Sequence, residues 1–205
     1  MMKKSEAQRT LILKTARELF AKKGYNATTT RQISRTAKTA EGLLYYYFPH
    51  GKQEILETIV QSGVSHRLSL FKAAEVKAEG QSLTQQIMGI FEALCDAFQS
   101  EASYQSFIIT IRERSVLSGT QAEWITQAIE MVGNHLSHLL ATDQAYAGLP
   151  DQTRLNLASI IAAIFQKVFY DELLIRNLQT ISPAARQTVA HELACLFQMM
   201  PRASS

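Results

Sequence analysis

The stretch Thr28-Thr-Thr-Arg-Gln-Ile-Ser-Arg-Thr-Ala-Lys-Thr-Ala-Glu-Gly-Leu-Leu-Tyr-Tyr-Tyr-Phe48 decides the fold of this 205-residue chain. Thr29 and Gln32 stand three residues apart, the spacing at which a hydroxyl and an amide satisfy each other's helix-terminal N–H groups. A short helix is therefore expected from about Thr29 to Ala37, burying Ile33 and Ala37 and turning Arg31, Gln32 and Arg35 outward. A tight turn, Lys38-Thr39-Ala40, separates it from a second short helix that runs to about Tyr47. Two such helices crossing steeply around Ile33, Ala37 and Leu44 leave the outer face of the second one free, the plan of a helix-turn-helix. Ala40 and Gly42 are small enough to bring that helix close to base edges. Tyr45 and Tyr46 are long enough to reach phosphates or thymine methyls. The same pattern also describes a hairpin in a helical bundle with its tyrosines packed in the core.

The flanking sequence continues the helical pattern. Behind the cap Ser5-Glu-Ala-Gln8, residues Ile12, Ala16, Leu19 and Phe20 form one apolar helix face, and Gly24 ends it. Pro49-His50-Gly51 is a break, and Lys52 opens a long helix to about position 78. The free N–H groups and ammonium at that helix start suit a phosphate. Further helices are expected near 82–100, 103–117, 120–141, 151–178 and 182–200, with Ser182-Pro183 as an N-cap followed by proline. Nine glycines and four prolines are too few for a turn-dense β fold. The expectation is an all-α chain.

Charge divides the chain more sharply than its net +3 suggests. Residues 1–52 hold eleven Lys/Arg and three Glu, a balance of +8; the remaining ten basic and fifteen acidic residues leave 53–205 at −5. Only the first quarter is built to face a polyanion, unless its lysines are merely a solvated helical surface. Cys95 and Cys195 show no CxxC spacing and no disulfide framework, which suits a reducing compartment. MMKKSEAQRT lacks the apolar run of a signal peptide, and the longest apolar stretch, Leu157 to Phe165, is about half the roughly 20 residues of a membrane span. A cytoplasmic protein with no membrane partner is expected.

Three elements at their separations resemble the N-terminal DNA-binding domain of TetR-type transcriptional repressors. They are Ile12-Leu-Lys-Thr-Ala-Arg-Glu-Leu-Phe-Ala-Lys-Lys-Gly-Tyr25, Thr28-Thr-Thr-Arg-Gln-Ile33 and Gly42-Leu-Leu-Tyr-Tyr-Tyr-Phe-Pro49. The glycine in Phe48-Pro-His-Gly-Lys52 is similar to the LmrA/YxaF-like branch. The resemblance covers about residues 8–60. It implies a helix-turn-helix domain over 1–51 and a helical effector-binding and dimerisation domain over 52–205. It also implies a homodimeric repressor released from a double-stranded DNA operator by a small molecule.

Residue by residue, the resemblance implies phosphate contacts for Thr28, Thr29 and Arg31 and a phosphate clamp for Lys52. Glu41, Leu43, Tyr45 and Tyr46 would face the groove. The turn departs from the family's usual Ala-Gly-Val-Ser. Its glycine is replaced by Lys38, which places a side chain in a left-handed backbone region. Its capping hydroxyl is replaced by Ala40, with Thr39 expected to cap, and to stand at the DNA face, from one residue earlier. A carboxylate at Glu41 repels phosphate and accepts from a cytosine amine.

Beyond residue 60 the expectations are broader. Phe91, Cys95, Phe98, Phe107, Ile111, Trp124, Met131 and His135 are the candidate lining for an apolar or aromatic effector; the same residues would serve an ordinary core. The resemblance makes the last two long helices a dimer bundle, with Ile161, Phe165, Val168 and Phe169 on one and Val189, Leu193, Leu196 and Phe197 on the other. Such stripes are otherwise intramolecular core. His135 and His138 lack further metal ligands at usable spacing. No G-x-S-x-G, phosphate-cradling glycine loop or H-E-x-x-H occurs, so neither enzyme chemistry nor a cofactor is expected. The rival reading is a helical ligand-carrier or protein-interaction module with a basic N-terminus and no sequence-specific DNA reading.

Overall fold

The computed structural model describes residues 2–77, 80–117 and 119–200, apart from the side chains of 2–4, 71, 74–77, 120–122, 124, 125 and 128. Every α-helix, 3-10 turn and π turn among the described residues follows the all-α expectation, with no strand between them. By packing, the chain divides into two compact units. The first runs to His66 and takes in 100–125; the second comprises 67–99 and 126–205.

In the first unit, α1 (Met2–Lys23) ends at Gly24, whose φ of +84° is a conformation that glycine adopts without steric cost. Next come α2 (Thr30–Thr36), α3 (Glu41–Tyr47) and the first turns of α4 (Lys52–Lys77). Their apolar faces share one core: Ile12, Ala16 and Phe20 from α1, Ile33 from α2, Leu44 and Phe48 at α3, and Ile55, Leu56 and Ile59 from α4. Leu19 packs against its edge. Burial of each large side chain contributes on the order of 1.5–3 kcal/mol, enough to define the short α2 and α3, which would not hold as isolated helices.

The sequence suggested a division between residues 51 and 52, but the packed unit reaches further. α4 contributes a face to this core, and Ile109 of α6 (Glu101–Arg112) and Leu117 join it. The segment after α6 is tied down by polar contacts as well. Glu113 Oε1 accepts the Tyr25 N–H at 3.0 Å, and Gln53 Nε2 donates to the Val116 carbonyl at 3.2 Å.

The second unit contains α5 (Leu83–Asp96), most of α7 (Gly119–Thr142), α8 (Asp151–Phe169) and α9 (Pro183–Met199). Its centre is aromatic. Phe91 lies 5.0 Å from Phe165 and 5.7 Å from Phe169, ring to ring, and Phe98 lies 5.5 Å from Phe169. The helix expected over 151–178 changes character at Tyr170, where a π turn runs to Ile175. There Glu172 is buried, and its carboxylate accepts from Arg176 Nη1 at 3.2 Å and from the Ser182 N–H at 2.9 Å. A buried carboxylate requires such partners, and these two anchor the connection into α9. No described helix is long and apolar enough to cross a membrane.

Candidate nucleic-acid interface

The turn between α2 and α3 sets the geometry of the head. Thr29 caps α2: its Oγ1 accepts the Gln32 N–H at 3.2 Å, and Gln32 Oε1 accepts the Thr29 N–H at 3.0 Å. The helix closes as a Schellman motif, with the Thr39 N–H donating to Ser34 O at 2.9 Å and the Lys38 N–H to Arg35 O at 3.3 Å. Lys38 sits at the left-handed position of that motif with φ +51°, where the missing glycine would have stood.

Thr39 does not cap α3. The cap residue is Ala40, which makes no side-chain cap bond, while the Thr39 hydroxyl is buried without a hydrogen-bond partner. The reason is the Schellman closure, which spends the Thr39 backbone on α2 and turns its side chain inward. The Thr39 hydroxyl is thereby also withdrawn from the expected DNA face.

α3 presents its tyrosines outward. Tyr45 is 45% and Tyr46 74% exposed, so the alternative hairpin with tyrosines sealed in a core does not hold. Gly42 has open space where a Cβ would stand, and Leu43 is half-buried beside it. Tyr47 lies to the side, its hydroxyl donating to Ser5 Oγ at 3.1 Å. The starts of α2 and α3 are linked by polar groups. Thr30 Oγ1 donates to Glu41 Oε1 at 3.3 Å and lies 3.4 Å from the Tyr45 hydroxyl. Arg31 Nε stands 3.9 Å from Glu41 Oε2. The sequence offered no signal for this linkage, because it joins residues ten or more positions apart.

One expected phosphate contact is corrected, and a second group is already engaged within the chain. Thr28 is fully buried and its hydroxyl donates to Gly24 O at 2.9 Å, so it offers nothing to a backbone outside. Lys52 turns its ammonium inward, donating to Tyr25 O at 2.9 Å and lying 4.0 Å over the Tyr25 ring. Burial lowers its pKa, with nearby Glu113 acting in the opposite direction. Thr29 and Arg31 remain at the surface.

Part of the group expected to hold an effector and part of the group expected to meet a partner subunit share one core. Phe91, Cys95 and Phe98 are buried, and the rings of Phe165 and Phe169 pack against the two phenylalanines. Desolvation raises the Cys95 pKa to about 12. Met131 and His135 are half-buried in the same unit, whereas Phe107 and Ile111 belong to the first unit and the Trp124 side chain lies outside the described residues.

Ile161, Phe165, Val168, Val189 and Leu193 are buried within a single chain, so a partner subunit has no surface of theirs to cover. Leu196 and Phe197 are half-buried, Phe197 against Tyr146 at 5.5 Å. The apolar side chains that do face outward nearby are Leu155, Ile160, Tyr170, Ile175 and Met199, which the helical stripe reasoning passed over.

Comparison with known proteins agrees with the architecture of the head. Residues 12–59 match the family model described as bacterial regulatory proteins, tetR family. The HTH-type transcriptional regulator QacR of Staphylococcus aureus is 46% identical over 48 residues, 23% of this chain and 26% of that protein. YxaF of Bacillus subtilis, also an HTH-type transcriptional regulator, is 42% identical over 53 residues, 25% of this chain and 28% of that protein. The matched segment thus spans only about a quarter of these relatives.

The fold likeness extends further. A transcriptional regulator from Saccharomonospora viridis, solved with choline, superposes with a TM-score of 0.66 at 18% identity, covering 98% of this chain and 100% of that one. The likeness in sequence to the tetR family of bacterial regulatory proteins is thus carried by residues 12–59.

Proposed function

We propose that the protein is a homodimeric transcriptional repressor that binds operator DNA and is released when a small molecule binds its C-terminal domain. The observation that carries this reading is the exposure of Tyr45 and Tyr46 on a short helix in a segment of charge +8. Thr29, Arg31, Glu41, Leu43, Tyr45 and Tyr46 form the DNA face. Two heads read half-sites about 34–36 Å apart in successive major grooves.

Dimerisation uses the outward sides of α8 and α9, where Leu155, Ile160, Ala190 and Ala194 are exposed. The effector is apolar or aromatic and enters among Phe91, Phe98, Phe165 and Phe169, parting rings that otherwise pack on one another. To move the population from mostly competent to mostly released, it must prefer the released state by roughly 10⁴-fold.

The test is a titration of the protein with duplexes carrying inverted repeats from beside its own gene, against random duplex, over a range of salt. Binding to both weakens with salt. The repressor retains a sequence-dependent surplus of about 4 kcal/mol or more for its operator. Equal affinity for all duplexes would overturn the reading in favour of a basic module without groove recognition.

A further inference from the structure

The linkage between the starts of α2 and α3 places unlike hydrogen-bonding groups side by side on the exposed face of the head. Arg31 has an 88% exposed side chain and Glu41 a 42% exposed one, with Arg31 Nε 3.9 Å from Glu41 Oε2. The other carboxylate oxygen accepts from Thr30 Oγ1 at 3.3 Å, which restrains Glu41 on α3 against α2. Arg31 engaged through Nε keeps its two terminal Nη groups as donors, and Glu41 keeps lone pairs as an acceptor.

We propose that Arg31 and Glu41 together read a single G·C base pair in each half-site. This rests on the proposal that the head binds operator DNA, and it replaces a backbone role for Arg31 with a base-reading one. The chemistry is one of matching edges. In the major groove a G·C pair presents guanine N7 and O6 as acceptors and cytosine N4 as a donor. The Arg31–Glu41 pair presents donors followed by an acceptor. In an A·T pair adenine N7 still accepts, but an amine replaces O6 before the guanidinium and the thymine carbonyl replaces the cytosine amine before the carboxylate, so one guanidinium contact and the carboxylate contact turn repulsive.

Glu41 also explains why a carboxylate is tolerated on a DNA face. On any duplex it repels phosphate, and only a base that donates to it recovers that cost. It therefore depresses non-cognate binding more than cognate binding.

The experiment is site selection from a duplex library with a randomised centre, using the full chain as wild type, Glu41→Ala, Glu41→Gln and Arg31→Ala. Anisotropy titrations of the selected duplex and its single-pair variants follow, with thermal melting to confirm that each variant folds. The wild type is expected to enrich one symmetric G·C position whose replacement by A·T weakens binding on the order of tenfold or more. Glu41→Ala and Arg31→Ala both flatten preference at that same position and leave the others intact. Glu41→Gln, whose amide oxygen still accepts from cytosine, retains part of it.

Glu41→Ala is also expected to bind random duplex more tightly than the wild type. An enriched motif untouched by Glu41→Ala, or altered by the two alanine variants at different positions, overturns the paired reading alone. A wild type that enriches no motif at all overturns the DNA-binding proposal beneath it.

Discussion

Lys52 sets its ammonium nitrogen 2.9 Å from the carbonyl of Tyr25 and 4.0 Å above the ring of the same residue. The lysine at the start of α4 is thus a pin between two ends of the head. Tyr25 is further held by its hydroxyl donating to Gln53 Oε1 at 2.8 Å. Lys52→Met keeps the stem and removes the donor. It is expected to cost about 1 kcal/mol of stability, the modest figure appropriate to a half-exposed group. The slope of log affinity against log salt should change by less than the roughly 0.9 that one phosphate contact contributes. A full unit lost from the slope with stability unchanged would restore the phosphate clamp.

The turn offers three substitutions that should each stabilise the protein. Lys38 at φ +51° bears a left-handed backbone that glycine adopts freely. After allowing for the greater freedom of an unfolded glycine, Lys38→Gly should gain about 0.5–1 kcal/mol. Thr39→Val removes a buried hydroxyl without a partner and keeps the shape, for about 1 kcal/mol. Ala40→Ser restores a side-chain cap to α3, again for about 0.5–1 kcal/mol. Denaturant midpoints measure all three; a loss at Thr39→Val would mean the hydroxyl has a partner in solution.

What the sequence made legible, and what it did not, divides by range. The caps at Thr29 and Ser182, the stop at Gly24 and the left-handed Lys38 are local, decided by residues within a turn of one another, and stand as expected, whereas Ser5 lies inside α1 instead of capping it. Thr28 and Thr29 show the limit. They are adjacent and alike, yet one is fully buried on Gly24 and the other caps a helix at the surface. Only the packing of α1 against α2 separates them. The apolar stripes of α8 and α9 were equally readable, but periodicity states that a face is covered, not by what. On α8 the cover is the chain's own Phe91 and Phe98 cluster.

Tyr46 provides the cleanest separation of recognition from stability on α3. It is 74% exposed and its ring meets only Tyr47, at 5.1 Å, among the ring contacts described. Tyr46→Ala should therefore change folding stability by about 0.5 kcal/mol or less while abolishing most of the operator surplus. Leu44→Ala, two residues earlier and fully buried, should cost about 2–5 kcal/mol and lose DNA binding through the fold. Unchanged operator preference in Tyr46→Ala would place the reading face elsewhere.

The two cysteines should differ in reactivity and in their effect on alkaline stability. Desolvation raises the Cys95 pKa from 9.0 to about 12, so the folded state binds its proton more tightly than the unfolded chain does. Its contribution to stability is complete below pH 9 and is lost as pH rises through the window from 9 to 12. At pH 8 a disulfide reagent should label Cys195, which is half-exposed beside His191 at 3.6 Å, and leave Cys95 untouched until the protein unfolds. Cys95→Ser should flatten the fall in stability above pH 9. Rapid labelling of both thiols in the native protein would show that the second unit opens readily around Phe91.

Ile160 and Ile161 are neighbours in α8 with opposite fates, and they distinguish core from interface. Ile161 is fully buried within one chain, whereas Ile160 is 47% exposed. Ile161→Ala should cost about 2–5 kcal/mol and lower the melting temperature at every protein concentration. Ile160→Glu should leave the isolated chain folded but place a charge where two copies meet. It is then expected to sediment as a monomer at concentrations where the wild type is a dimer, and to lose operator affinity because two half-sites are no longer bound together. A dimeric Ile160→Glu with wild-type affinity would move the interface to another face. The exposed Tyr170, Ile175 and Met199 are then the next positions to charge, since burial already removes Ile161, Phe165, Val168, Val189 and Leu193 from consideration.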